Sequence, residues 1–177
     1  MTPAQTDAPL QDFSQCHAGI FKKLDLLGDL PALLAPAARA QEIANTSLEF
    51  FREAIFEHHL DEERELFPAV LASADKGEEL AQVTAMVQRL TQEHRELESI
   101  WKRLESGLKK VNKGQFDEVN VADIQRLVSQ YRAHASFEES AFLPLSQTIL
   151  GRNANHMAAL GLSLHLRHFR DPIPAYI

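Results

Sequence analysis

Apolar residues recur at steps of three and four through almost the whole chain, and no segment alternates apolar and polar over the length of a strand. Such a chain folds through stripes along helices and not through the pleat of a sheet. The first stripe is Leu10, Phe13, Ile20 or Phe21, and Leu24, on a helix from about Ala8 to Leu27 that Gly28 and Pro31 are expected to stop. A proline-containing connection, Gly28–Pro36, follows. The second stripe is Leu48, Phe51 and Ile55, on a helix from about Ala37 to Glu65. Pro68 must kink or end that helix and leaves Phe67–Ser73 as a short extra turn or helix. The third stripe is Val83, Val87, Leu90, Leu97, Trp101 and Leu104, on Gly77–Val111, closed by Asn112-Lys113-Gly114. The fourth is Ile124, Leu127 and Tyr131, on Asn120–Leu143, interrupted by Pro144. Asn153–Arg167 reads as a last short helix. The pattern predicts an all-α, antiparallel up-and-down four-helix bundle over residues 8–168, with a short C-terminal helix and a tail at 169–177.

Composition narrows the function. The formal charge of −7 disfavours a phosphate backbone as partner, so no nucleic acid is expected. A single cysteine, Cys16, excludes an internal disulfide and cysteine-based zinc or iron–sulfur sites. No apolar run approaches the length of a membrane span. The first 15 residues are polar and show no secretory pattern, so the expectation is a cytoplasmic protein. There is no Gly-rich phosphate loop and no nucleophile elbow.

The chain has eight histidines, and four of them lie on the stripes, one per helix: His17, His58, His94 and His134. Glu62 and Glu138 continue two of the stripes one turn later. A step of four leaves His and Glu about 40° apart on one face, so both can reach one ion or two neighbouring ions. Four imidazoles and two carboxylates suit iron, manganese or zinc rather than calcium or magnesium. The set also makes a sensible inventory for two irons. The segment His58-His-Leu-Asp-Glu62-Glu63-Arg-Glu-Leu66-Phe67-Pro68 repeats as His134-Ala-Ser-Phe-Glu138-Glu139-Ser-Ala-Phe142-Leu143-Pro144. His59 and Glu63 share the i, i+4 spacing, but only His58 and Glu62 hold the repeat position and the stripe. Glu63 and Glu139 then stand beside the ligand set, to orient imidazoles or line the mouth of the site. His59 reads as a flanking residue.

The order His17, His58-x3-Glu62, His94, His134-x3-Glu138, with Leu66-Phe-Pro and Phe142-Leu-Pro after the two pairs, resembles the hemerythrin-like HHE cation-binding domain family over about residues 8 to 165. The resemblance implies an up-and-down bundle holding a non-haem di-iron centre, two irons with a bridging oxygen species, in which Glu62 and Glu138 bridge. Zinc and manganese are possible substitutes. The chain departs from the oxygen-carrying members, which have five histidine ligands and a His-x3-His pair on the third helix. Here His94 is followed by Glu98, which either fills the vacant place or is an exposed helix residue. Reversible O2 carriage is therefore not implied. The iron-centre repair members carry a cysteine-bearing N-terminal extension, and Cys16 lies instead within the first helix.

The remaining candidates have plainer readings. His156, His165 and His168 read as surface or packing residues. Tyr131, one turn before His134, either hydrogen-bonds a ligand carboxylate or a bound oxygen species or is a core aromatic. A ferritin-like site needs Glu three residues before a histidine, and Ile55, Phe56, Thr91 and Tyr131 occupy those places. The resulting expectation is a di-iron protein that binds or reacts with O2, NO or peroxide. The alternatives are an iron-responsive regulatory or iron-binding module without turnover, and a structural bundle with a single zinc or no native metal.

Overall fold

The computed structural model describes the backbone of residues 8–152 and, within it, the side chains of residues 19–51 and 56–152. The expected last helix and tail, with His156, His165 and His168, lie outside the described residues. Those described are all helical, with no strand among them. No helix among them is long and apolar enough to cross a membrane. The chain divides into two compact units, Met1–Ile43 and Ala44–Ile177.

In the first unit, helical backbone begins at Ala8, and α1 (Ala8–Asp61) runs on into the second unit. The break expected at Gly28–Pro36 is absent: Pro31 and Pro36 lie inside α1. Proline fixes φ near the helical value, so each ring costs a missing donor and a clash with the carbonyl four residues back, about 3 kcal/mol, without forbidding the helix. The alanines and leucines around them are strong helix formers.

In the second unit, α1 ends at Asp61 and a π-helical turn, Glu62–Leu66, leads into α2 (Phe67–Ser73). Next come α3 (Glu78–Asn112) and α4 (Val121–Phe137), then a second π-helical turn, Glu138–Phe142, and α5 (Leu143–Gly151). The local sequence explains the boundaries. Gly77 takes φ 105° just before α3, a conformation that side-chain-bearing residues avoid. Asn120 caps α4, its side chain accepting from the Asp123 amide at 3.2 Å.

Each π turn sits just ahead of a proline. The Phe67 amide donates to the Glu62 carbonyl and the Leu143 amide to the Glu138 carbonyl, five residues back in both cases. Pro68 and Pro144 then open α2 and α5 in the first turn, where a missing N–H costs nothing. The repeated motif therefore produces a repeated backbone feature, a π turn beginning at its first glutamate.

Two apolar clusters form the core of this unit. One gathers Phe67, Val70, Val83, Leu90, Phe142, Ile149 and Leu150. The other gathers Leu97, Ile100, Trp101, Leu104 and Leu127, with Phe51 and Tyr131 packed against it. On α3 the first cluster ends at Leu90 and the second begins at Leu97, and the buried residue between them is His94. A polar layer thus lies between two apolar ones.

Candidate metal centre

Five elements converge on that layer. The end of α1 brings His59, the first π turn Glu62, α3 His94, α4 His134, and the second π turn Glu138. All five side chains are buried. One ligand atom from each of Glu62, His94, His134 and Glu138 lies within 4.8 Å of all the others, and the same holds for His59, His94 and His134. The rings are in contact: His59 stacks on His94 at 3.8 Å between centroids, and His134 meets His94 edge-on at 4.9 Å. Phe67 covers His94 from one apolar cluster, and Tyr131 stacks on His59 from the other.

The inward atoms of this group have no hydrogen-bond partner. They are Nε2 of His94 and His134, Oε2 of Glu62, Oε1 of Glu138 and both ring nitrogens of His59. Buried polar atoms are normally paired, so such a set could hold a cation. The outward ring atoms are held. His94 Nδ1 donates to Glu63 Oε1 at 2.8 Å and His134 Nδ1 to Glu93 Oε2 at 2.9 Å. An ionised carboxylate only accepts, so the proton stays on Nδ1 and the Nε2 lone pair faces the cluster. That is the tautomer a metal takes.

The charges point the same way. Burial pushes the Glu138 carboxyl up to about 9, helped by the neighbouring Glu62 charge. Burial acts on Glu62 in the same sense, but the approach of His94 and the charge of His58 outweigh it and leave Glu62 below the usual range. Burial, then the neighbouring histidines, lowers His59 to about 2. Burial also lowers His134, against the opposing pull of Glu93. Tyr131 is raised to about 12 by burial and by Glu138 and Glu62. Without a metal, Glu138 is held towards its protonated form, Glu62 towards its ionised form, and His59 and His134 towards their neutral forms.

Not every predicted residue takes its expected position. His58 is half exposed at 51 %, whereas His59 is 1 % exposed and sits in the cluster. At about 100° per residue, the mean direction of Leu48, Phe51 and Glu62 falls between the two histidines, so periodicity does not separate them. Contact with His94 and Tyr131 does. His58 remains beside the cluster, its Nε2 3.4 Å from Glu62 Oε1, while His94 Nε2 lies 3.2 Å from Glu62 Oε2. Glu98 lies 3.5 Å from His59 Nδ1 and pairs with Arg95. Glu139, expected to match Glu63, is exposed, and Glu93 of α3 takes the imidazole instead. No sequence spacing links Glu93 to His134, 41 residues away. The His17 side chain lies outside the described residues.

The class is therefore that of helical proteins with a buried, mixed histidine–carboxylate cation site. Comparison with known proteins gives the family: the hemerythrin HHE cation-binding domain matches residues 8–146, and the chain belongs to it. An uncharacterized protein of Haemophilus influenzae is 26% identical over 163 residues, spanning 88% of this chain and 91% of that one. No solved structure matches the chain significantly.

Proposed function

We propose that this chain is a non-haem iron protein that binds or reacts with O2, NO or peroxide at a two-metal site within its helical domain. The observation that carries the reading is the set of buried, inward-facing and unpartnered ligand atoms on Glu62, His94, His134 and Glu138. Glu62 supports two ions over one, because its two oxygens face different imidazoles, His58 and His94. One ion would be held by His94, His134, Glu62 and Glu138, and the other by His58 and the second oxygen of Glu62. Bound iron would supply the redox and Lewis-acid chemistry. Phe67, Phe142 and Trp101 keep water from the layer, and Glu63 and Glu93 keep the imidazoles in the ligating tautomer. A cytoplasmic setting accords with the lone cysteine.

A second reading is an iron-responsive module without turnover. Its support is that the ligand atoms come from α3, α4 and both π turns, so occupancy would tie together elements separate in sequence. Anaerobic purification, metal counting and visible spectra before and after O2, azide and NO distinguish the two. Stoichiometric iron with new charge-transfer bands supports the first. Tight metal with no spectral response but a raised Tm supports the second. No stoichiometric metal and an unchanged Tm on adding iron overturns both.

A further inference from the structure

Beyond the ligands, the site has a built outer layer, and arginine forms its edge. His94 Nδ1 is held by Glu63, and Glu63 in turn is paired with Arg95. His134 Nδ1 is held by Glu93, and Arg89 Nε donates to Glu93 at 2.8 Å. Arg95 also donates to Glu98 at 3.2 Å, and Glu98 approaches His59 Nδ1 at 3.5 Å. Each of two buried imidazoles thus ends an arginine–carboxylate–imidazole chain, and both arginines come from α3. Each arginine is about half exposed, 55% for Arg95 and 50% for Arg89, so neither is needed to fill the core. The chains differ in their outer ends. Arg95 joins two carboxylates, whereas Arg89 serves one and lies over the Phe137 ring at 3.7 Å.

We propose that Arg95 and Arg89 are positioning residues that set how strongly His94 and His134 donate to the metal. The inference rests on the metal-binding reading above. A carboxylate that accepts from Nδ1–H draws the proton outward and makes the imidazole a stronger donor. An arginine on that carboxylate withdraws part of its charge and moderates the effect. The two members of a chain therefore act in opposite senses. Removing the carboxylate loses the tautomer lock and weakens metal binding. Removing the arginine keeps the lock, leaves the carboxylate fully charged and favours the more highly charged oxidation state of the metal. Arg95 has the larger influence because its removal leaves two carboxylates beside the cluster, Glu63 and Glu98, without their cation.

The test uses the full chain with zinc for affinity and iron for potential. Chelator competition with zinc should show Glu63→Gln weakened by about 10–100-fold. Arg95→Gln should bind zinc as tightly as the unaltered chain or more so. In the iron-loaded protein, Arg95→Gln should lower the midpoint potential, Arg89→Gln should lower it less, and Arg95→Lys should return most of the shift. Arg95→Gln weakening zinc as much as Glu63→Gln would make the arginine merely structural and overturn the proposal. So would an unmoved potential in Arg95→Gln. Failure of the unaltered chain to bind either metal would instead overturn the metal-site reading on which the proposal rests.

Discussion

The two copies of the repeated motif share their glutamates and differ on either side of them. In the second copy, His134, Glu138, Phe142 and Ser146 are buried, at steps of four. In the first copy, His59, Glu62, Phe67 and Val70 are buried, with Asp61 beside Glu62. Counted from the first histidine of each motif, Glu62 matches Glu138 and Val70 matches Ser146. The buried histidine and the buried aromatic each fall one residue later in the first copy. One residue is a turn of about 100° on a helix. The same motif, with the same π turn, therefore presents different faces at its two ends. The alignment of the copies fixes the carboxylate but not its neighbours.

The largest effects should come from the displaced aromatics. Phe67→Ala and Phe142→Ala each empty a fully buried site and should lower stability by about 3–5 kcal/mol. Leu143, aligned with Phe67, is 36% exposed, and Leu143→Ala should cost less than about 1 kcal/mol. Denaturant titration of the three variants reads this directly. Equal losses at Phe67 and Leu143 would remove the offset between the copies.

Metal affinity sharpens the comparison at the other end. His134→Ala should lose zinc affinity by more than about 100-fold, above the loss usual for residues that only orient a ligand. In the first copy the question is which neighbour carries the role. On the Glu62-bridged arrangement, His58→Ala should lose about one of two bound irons, whereas His59→Ala should keep both while perturbing the stacked His94. Loss of iron in His59→Ala with full occupancy in His58→Ala would move the ligand to the buried histidine.

The two glutamates should also respond oppositely to pH in chelator-treated protein. Glu138 is held up to about 9, so the folded state binds a proton there that the unfolded state, near 4.5, has lost. Its contribution to stability therefore falls as pH rises between about 4.5 and 9. Glu62 is lowered, so its contribution is present above the ordinary carboxylate range and is lost on acidification. His59, lowered to about 2 from 6.5, adds a further loss as pH falls below 6.5. Tm against pH should decline on the alkaline side in the unaltered chain and flatten there in Glu138→Gln. An unchanged alkaline decline in that variant would place the proton elsewhere.

Much of this was legible in the sequence because it is local. The short helix Phe67–Ser73 and the starts of α3 near Gly77 and of α4 near Asn120 each follow from one or two residues whose backbone preferences are strong. Glu62, His94, His134 and Glu138 converge because stripe positions on amphipathic helices face a common core. What stayed hidden depends on partners distant in the chain. His58 and His59 straddle the stripe, and the choice between them comes from rings on α3 and α4. Glu93 and Arg89 look like an ordinary exposed helix pair until His134 is seen against them. The break expected at Pro31 failed for a different reason: proline's penalty is finite, and the surrounding alanines and leucines favour helix.

The smallest expected effect bears on why both copies keep their proline. A proline inside a regular α-helix clashes with the carbonyl four residues back and removes a donor. At Pro68 and Pro144 neither cost applies, because each opens a helix just after a π turn whose bond runs five residues back. The prolines then act mainly through the unfolded chain, whose freedom they reduce. Pro68→Ala and Pro144→Ala should each lower stability by about 0.4–1 kcal/mol and leave zinc affinity within a factor of two or so. If the prolines instead impose the π turns, either alanine would let the helix close to regular α geometry. That would rotate every residue beyond the glutamate by one step. The two causes separate cleanly, since such a rotation would displace Phe67 or Phe142 from the core and carry a loss closer to the aromatic deletions than to a change in chain entropy.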